Sequence, residues 1–69
     1  MRTELKKFRI GEHLTQEQFA RKIGYNRSMY MEVENGKREP SMRFCVAISE
    51  TFGIPMAEVL ELVKRDEER

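Results

Sequence analysis

The chain is poor in the features that staple small proteins together or give them chemistry. Cys45 is the one cysteine in 69 residues, so no internal disulfide can form, and nothing stands near it at metal-ligand spacing. An inert buried thiol is the expected role. Tryptophan is absent and there are only two prolines. Nowhere do apolar and polar residues alternate between turn signals, so no segment is a candidate strand. Long apolar runs are missing as well. The longest, FCVAI from Phe44 to Ile48, is far too short to span a bilayer or serve as a signal sequence, and a cytoplasmic location is expected. His13 is the single histidine, and no serine, cysteine or carboxylate lies at a spacing that suggests catalysis. With no phosphate-cradling glycine loop and no metal motif, neither an enzyme nor a cofactor, metal or small-molecule ligand is expected.

What is present is ordinary in amount and uneven in placement. A hydrophobic share of 39% beside 36% charged residues suits one soluble globular domain spanning residues 1–69, with little core to spare. The net charge of +1 hides an asymmetry. Residues 1–43 hold ten Lys and Arg against six Glu, a balance of +4, whereas residues 44–69 hold three basic against six acidic residues, a balance of −3. Such a division suggests a face suited to a polyanion, with a solvated charged surface as the plain alternative.

Punctuation every ten residues or so divides the chain into five short helices. Thr3 is a candidate cap for the first, about Thr3 to Glu12, whose stripe carries Leu5 and Phe8 and whose last turn Gly11 weakens. Thr15 and Gln18 fit a capping box at the start of the second, in which Phe19, Ala20 and Ile23 face inward and Gly24 marks the end. Asn26 caps the third, with Tyr30 and Val33 inward and Gly36 at its close. Pro40-Ser41 opens the fourth, where Met42, Cys45, Ile48, Ser49 and Phe52 form a stripe that Gly53 terminates. Pro55 opens the fifth, carried by Met56, Val59, Leu60 and Val63 toward Lys64. The expected architecture is all-α, a compact bundle of five short helices.

The gap between the second and third helices is the informative one. Gly24-Tyr25-Asn26 allows only a tight turn, which makes two short helices cross steeply, and Ala20 supplies the small side chain that a close crossing needs. This is the construction of a helix-turn-helix, over about residues 15–36, in which one helix braces and the next projects its outer face.

LTQEQFARKIGYNRSMYMEVENGKREPS, together with the downstream SETFGIPMAEVL, resembles the phage-repressor, or Xre/Cro-like, helix-turn-helix family of transcription regulators. The likeness covers roughly residues 5–60, and the Thr-Gln, Ala, Gly, Glu-Asn-Gly-Lys and Pro-Ser elements at their spacings are far more specific together than singly. The resemblance implies a lambda-repressor-like five-helix DNA-binding domain, dimeric on a pseudo-palindromic operator. It also implies that Arg9 and Glu34 form a partly buried structural ion pair joining the first helix to the end of the third. Three departures stand out: His13 for a usual glycine, Ser49 for a usual alanine, and Ile10 facing away from the Leu5 and Phe8 stripe, for which the sequence offers no physical reason.

If Tyr30 and Val33 point inward, then Arg27, Ser28, Met31 and Glu32 lie on the outward face of the third helix as candidate base readers. Arginine forks onto guanine, serine reaches several base edges, and methionine packs on a thymine methyl. Glu32 accepts from cytosine or pairs instead with Arg27 or Lys37. Met29 is expected to be partly core. Candidate DNA-backbone contacts are Gln16, Asn26, Asn35, Lys37, Arg38 and Arg43, with Gln16 able either to reach a phosphate or to brace the recognition helix, and Glu39 diluting the basic cluster. The expected partner is a double-stranded DNA operator, bound by a repressor that dimerises through helix five at Leu60, Leu62 and Val63, part of which must be core. The tail KRDEER has no apolar anchor, so it frays or extends the fifth helix. The competing expectation is a protein-binding module of the same fold, an antitoxin or scaffold with weak or no DNA binding.

Overall fold

Among the described residues five helices follow one another: α1 (Thr3–Gly11), α2 (Gln16–Lys22), α3 (Arg27–Glu34), α4 (Met42–Phe52) and α5 (Met56–Leu62). The computed structural model describes residues 1–66, and among these there is no strand. None of the helices is long and apolar enough to cross a membrane. The fate of the tail at residues 67–69 lies outside the described residues.

Three of the starts are made by local side chains, as their residue types dictate. The Thr15 hydroxyl accepts from the Gln18 amide at 3.1 Å while the Gln18 side chain accepts from the Thr15 amide at 2.9 Å, a complete capping box on α2. Asn26 accepts from the Met29 amide at 2.7 Å to open α3, and Ser41 accepts from the Phe44 amide at 3.1 Å to open α4. The start of α1 differs from expectation. Thr3 is its first residue rather than its cap, and the free amide of Thr3 donates instead to the Asp66 carboxylate at 3.0 Å, with the Thr3 hydroxyl donating to the other carboxylate oxygen. The tail therefore has a polar anchor up to Asp66, where the sequence showed no apolar one.

The ends of α1, α2 and α3 share one construction, in which a left-handed residue turns the chain and two amides fold back onto carbonyls of the last turn. After α2, Gly24 has φ 82° and the Tyr25 amide reaches the Ala20 carbonyl at 2.8 Å. After α3, Gly36 has φ 84° and the Lys37 amide reaches the Glu32 carbonyl at 2.8 Å. A β-carbon on Gly36 would lie 2.7 Å from the Met1 nitrogen, so close approach as well as conformation requires glycine there. After α1 the left-handed position falls to His13, at φ 62°, with the Leu14 amide donating to the Arg9 carbonyl at 3.3 Å. The histidine thus takes the place of a helix-ending glycine.

Leu5, Phe19, Ala20, Ile23, Tyr30, Val33, Phe44, Cys45, Ile48, Val59 and Val63 form one core. Phe19 sits at its centre, stacked on Phe52 at 5.1 Å and against Tyr30 at 4.9 Å, with Phe8 edge-on to Phe52 at 5.2 Å. Two positions on the expected stripes are corrected. Met42 is 66% exposed, because α4 turns Phe44 inward instead, and Leu60 is 47% exposed while Val59 and Val63 carry the inner face of α5. Met29 is half-buried. Burial pushes the Cys45 thiol up, as an inert core cysteine requires. Ser49 has a structural use: its hydroxyl donates to the Ile54 carbonyl at 2.6 Å, fixing the turn into α5.

Candidate nucleic-acid interface

The end of α3 is anchored by a carboxylate. Glu34, at the end of α3, is buried. One of its oxygens accepts from Arg9 Nε at 3.0 Å and from the Tyr30 hydroxyl at 2.7 Å; the other accepts from Arg9 Nη2 at 3.4 Å and from Gln16 Nε2 at 2.9 Å. Burial alone would raise its pKa, but the hydrogen bonds from Arg9, Tyr30 and Gln16 outweigh burial and hold it below the ordinary carboxylate value. Burial, followed by the bond to Glu34, pushes Tyr30 far above the ordinary phenol value. The same Arg9 donates to the Leu14 carbonyl at 2.8 Å, so one guanidinium links α1, the loop into α2, and α3. Gln16 therefore braces α3 through Glu34. Its side chain is half-buried in that position.

The outer face of α3 stands clear of the core. Asn26, Arg27 and Ser28 are exposed, Met31 and Glu32 half-buried. Ser28, Met31, Glu32, Asn35 and Lys37 line one depression on the surface, so three residues of the expected reading face and two of its flank converge. Arg27 lies beside it at the helix start. Glu32 pairs with neither Arg27 nor Lys37. Its carboxylate takes Arg38 Nε at 2.8 Å, across a half-exposed ion pair, and this ties up one of the expected backbone contacts. The neutralised pair also lowers the repulsion that a free carboxylate would offer to phosphate. Among the described residues the side chains of Arg27, Lys37 and Arg43 make no hydrogen bond or ion pair, which leaves Arg27 and Lys37 available at the face and Arg43 exposed in the first turn of α4.

Arg2 is the residue that sequence reasoning missed. Only 1% exposed, it is the largest fully buried side chain among the described residues. Its Nε donates to the Val63 carbonyl at 2.6 Å, Nη1 to the carbonyls of Val33 at 2.6 Å and Arg38 at 3.2 Å, and Nη2 to Glu39 at 3.3 Å. Glu39 also meets Arg65 at 3.3 Å, so it serves this cluster at the rear of the loop and does not simply dilute the basic patch. No signal along the chain marks Arg2 for burial, because its side-chain partners lie 31 to 61 residues away.

On α5, Leu60 is exposed and Leu62 half-buried, while Val63 is buried in the core. Val63 is therefore consumed by the monomer and offers no surface to a second copy, a correction to its expected part in dimerisation.

The helix-turn-helix family model matches residues 5–59. The chain is 34% identical over 59 residues to an uncharacterised HTH-type transcriptional regulator of Methanocaldococcus jannaschii, covering 86% of this chain and 89% of that protein. It is 38% identical over 52 residues to an uncharacterised HTH-type transcriptional regulator of Archaeoglobus fulgidus, covering 75% and 74%. Against the control protein C.MunI of Mycoplasma sp, it is 36% identical over 64 residues, covering 91% and 86%. No solved structure matches it significantly. A family model spanning most of the chain, on a bundle whose second and third helices have the expected turn between them, establishes that the chain belongs to the Xre/Cro-like helix-turn-helix family.

Proposed function

We propose that this protein is a cytoplasmic, non-enzymatic transcriptional regulator that represses by binding a double-stranded operator as a homodimer, reading the major groove with α3. The observation that carries the reading is the outer face of α3: Arg27 and Ser28 exposed at its start, and Ser28, Met31, Glu32, Asn35 and Lys37 converging on one depression. Arg27 and Ser28 would reach base edges first, Met31 would pack on thymine methyls, and Glu32, held by Arg38, would accept from cytosine. Asn26, Asn35, Lys37 and Arg43 would contact the sugar-phosphate backbone, with Arg38 joining them on release from Glu32 and Gln16 acting mainly through Glu34. The family membership and a relative named as a control protein support a regulatory role.

Size supports two copies. Extents of 28 × 25 × 22 Å do not span two major-groove faces about 34 Å apart, one helical turn, so a palindromic site needs a second protomer. Leu60 and Leu62 on α5 are the proposed contact. Selection of bound sequences from a random duplex pool tests the whole reading. The expected result is an enriched inverted repeat. Recovery of no preferred sequence, with equal affinity for every duplex, would overturn it.

A further inference from the structure

A buried guanidinium is costly to desolvate, and an apolar side chain of similar volume fills such a space at lower cost. Stability alone is therefore a weak reason for Arg2. What leucine or methionine cannot supply is a set of directional bonds, and those bonds go to a particular place. Arg2 Nη1 spans the Val33 carbonyl in the last turn of α3 and the Arg38 carbonyl in the loop that follows, while the Arg2 backbone amide holds the Glu34 carbonyl at 2.8 Å. The amides of Lys37 and Arg38 both return to the single carbonyl of Glu32, which fixes the start of the loop; Arg2 fixes its far side, through the Arg38 carbonyl and Glu39. We propose that Arg2 is a positioning residue for nucleic-acid binding, locking the loop of Lys37 and Arg38 to the end of α3 so that its cations meet phosphate in a fixed register. The proposal rests on the reading of that loop as a backbone contact. A loop held in advance loses less conformational freedom on binding, and its charges engage phosphates together and not one at a time.

The experiment uses the full chain and a fluorescein-labelled duplex of mixed sequence, with anisotropy followed across a salt series at a temperature where circular dichroism shows each variant folded. Lys37→Ala and Arg2→Lys are each expected to lower the slope of log affinity against log salt by about one, the share of one phosphate contact. Arg2→Lys retains the charge but not the fork, so a slope lost with charge conserved separates positioning from electrostatics. If Lys37→Ala lowers the slope while folded Arg2→Lys binds as the wild type does, Arg2 is structural only and the proposal is overturned. If Lys37→Ala leaves the slope unchanged, the loop reading itself fails and takes the proposal with it. In the unmodified protein the Arg2 Nε proton is expected to exchange slowly with solvent by NMR; exchange at the rate of a free arginine would overturn the clasp even if no Arg2 variant folds.

Discussion

His13 holds the left-handed position after α1 at φ 62°, where a β-carbon crowds the following carbonyl at a cost of roughly 1–2 kcal/mol. Glycine would remove that strain and give back part of the gain in backbone entropy, roughly 0.5–1 kcal/mol. The side chain is exposed and makes no hydrogen bond, so nothing else is lost. His13→Gly is therefore expected to stabilise the domain by up to about 1 kcal/mol, read as a Tm higher by about 4–8 °C per kcal/mol in thermal melts. A lower Tm would refute the strain argument. Glu34 makes a second case at this scale. Its folded pKa lies below the ordinary 4.5, so the unfolded chain takes up a proton more readily. The stability it contributes is fully present above about pH 4.5 and is lost as pH falls through the lower folded value. Glu34→Gln should flatten that part of the acid limb. At neutral pH it should cost about 3–5 kcal/mol, because Arg9 would be left buried without its carboxylate. An acid limb unchanged in the variant would place the pH dependence elsewhere. What the sequence revealed at this scale was local: Thr15, Asn26 and Ser41 cap through bonds three residues away, within any reading window. Arg2 and Asp66 act across 31 to 63 residues, and no neighbour along the chain advertises them.

At the scale of the helix, periodicity located all five elements but misjudged faces where a stripe ended near a terminus. Met42 and Leu60 fit the spacing and still point outward, because a first turn or an outer edge needs only some of its apolar positions filled. The α2 and α3 faces were legible because a tight turn ties them together: Phe19, Ala20, Ile23, Tyr30 and Val33 are all buried as the pattern required. The pairing of Glu32 with Arg38 was not legible, since it depends on how the loop after Gly36 folds back. It gives α3 a testable division of labour. Arg27→Ala should weaken operator binding by about 1–3 kcal/mol and relax preference at one base position. Glu32→Gln should do the opposite to nonspecific binding, because it frees Arg38 for phosphate and should raise the salt slope by about one. Anisotropy on the selected operator and on a scrambled duplex, for both variants, separates the two effects. Equal losses on both duplexes for Arg27→Ala would remove it from the base-reading set.

For the molecule as a whole, charge and shape argue in the same direction. The basic excess lies in the first 43 residues, which build α1 through the loop after α3, and the acidic excess lies in the part that forms most of α4 and α5. A basic excess in the part of the chain that carries α3 would steer it toward a polyanion, yet with few unpaired cations there the proposed reading gives one domain only a handful of phosphate contacts, and binding so supported weakens steeply with salt. Two linked copies multiply affinity without any new contact to DNA, provided the linkage holds both α3 helices one turn apart. Val63, the residue after α5, is sealed into the core, so the proposed self-association would fall chiefly on Leu60, which is 47% exposed, with half-buried Leu62 round the helix from it. Leu60→Asp removes apolar area from the surface without opening a cavity, so the Tm of the isolated domain should change little. On the proposed dimer through α5, its operator affinity should fall about tenfold or more, and sedimentation should find monomer at concentrations where the wild type is expected to pair, while binding to a single half-site stays unchanged. A Leu60→Asp protein that still sediments as a dimer would move the interface away from α5, and one that loses half-site binding would mean that the substitution had disturbed α3 itself.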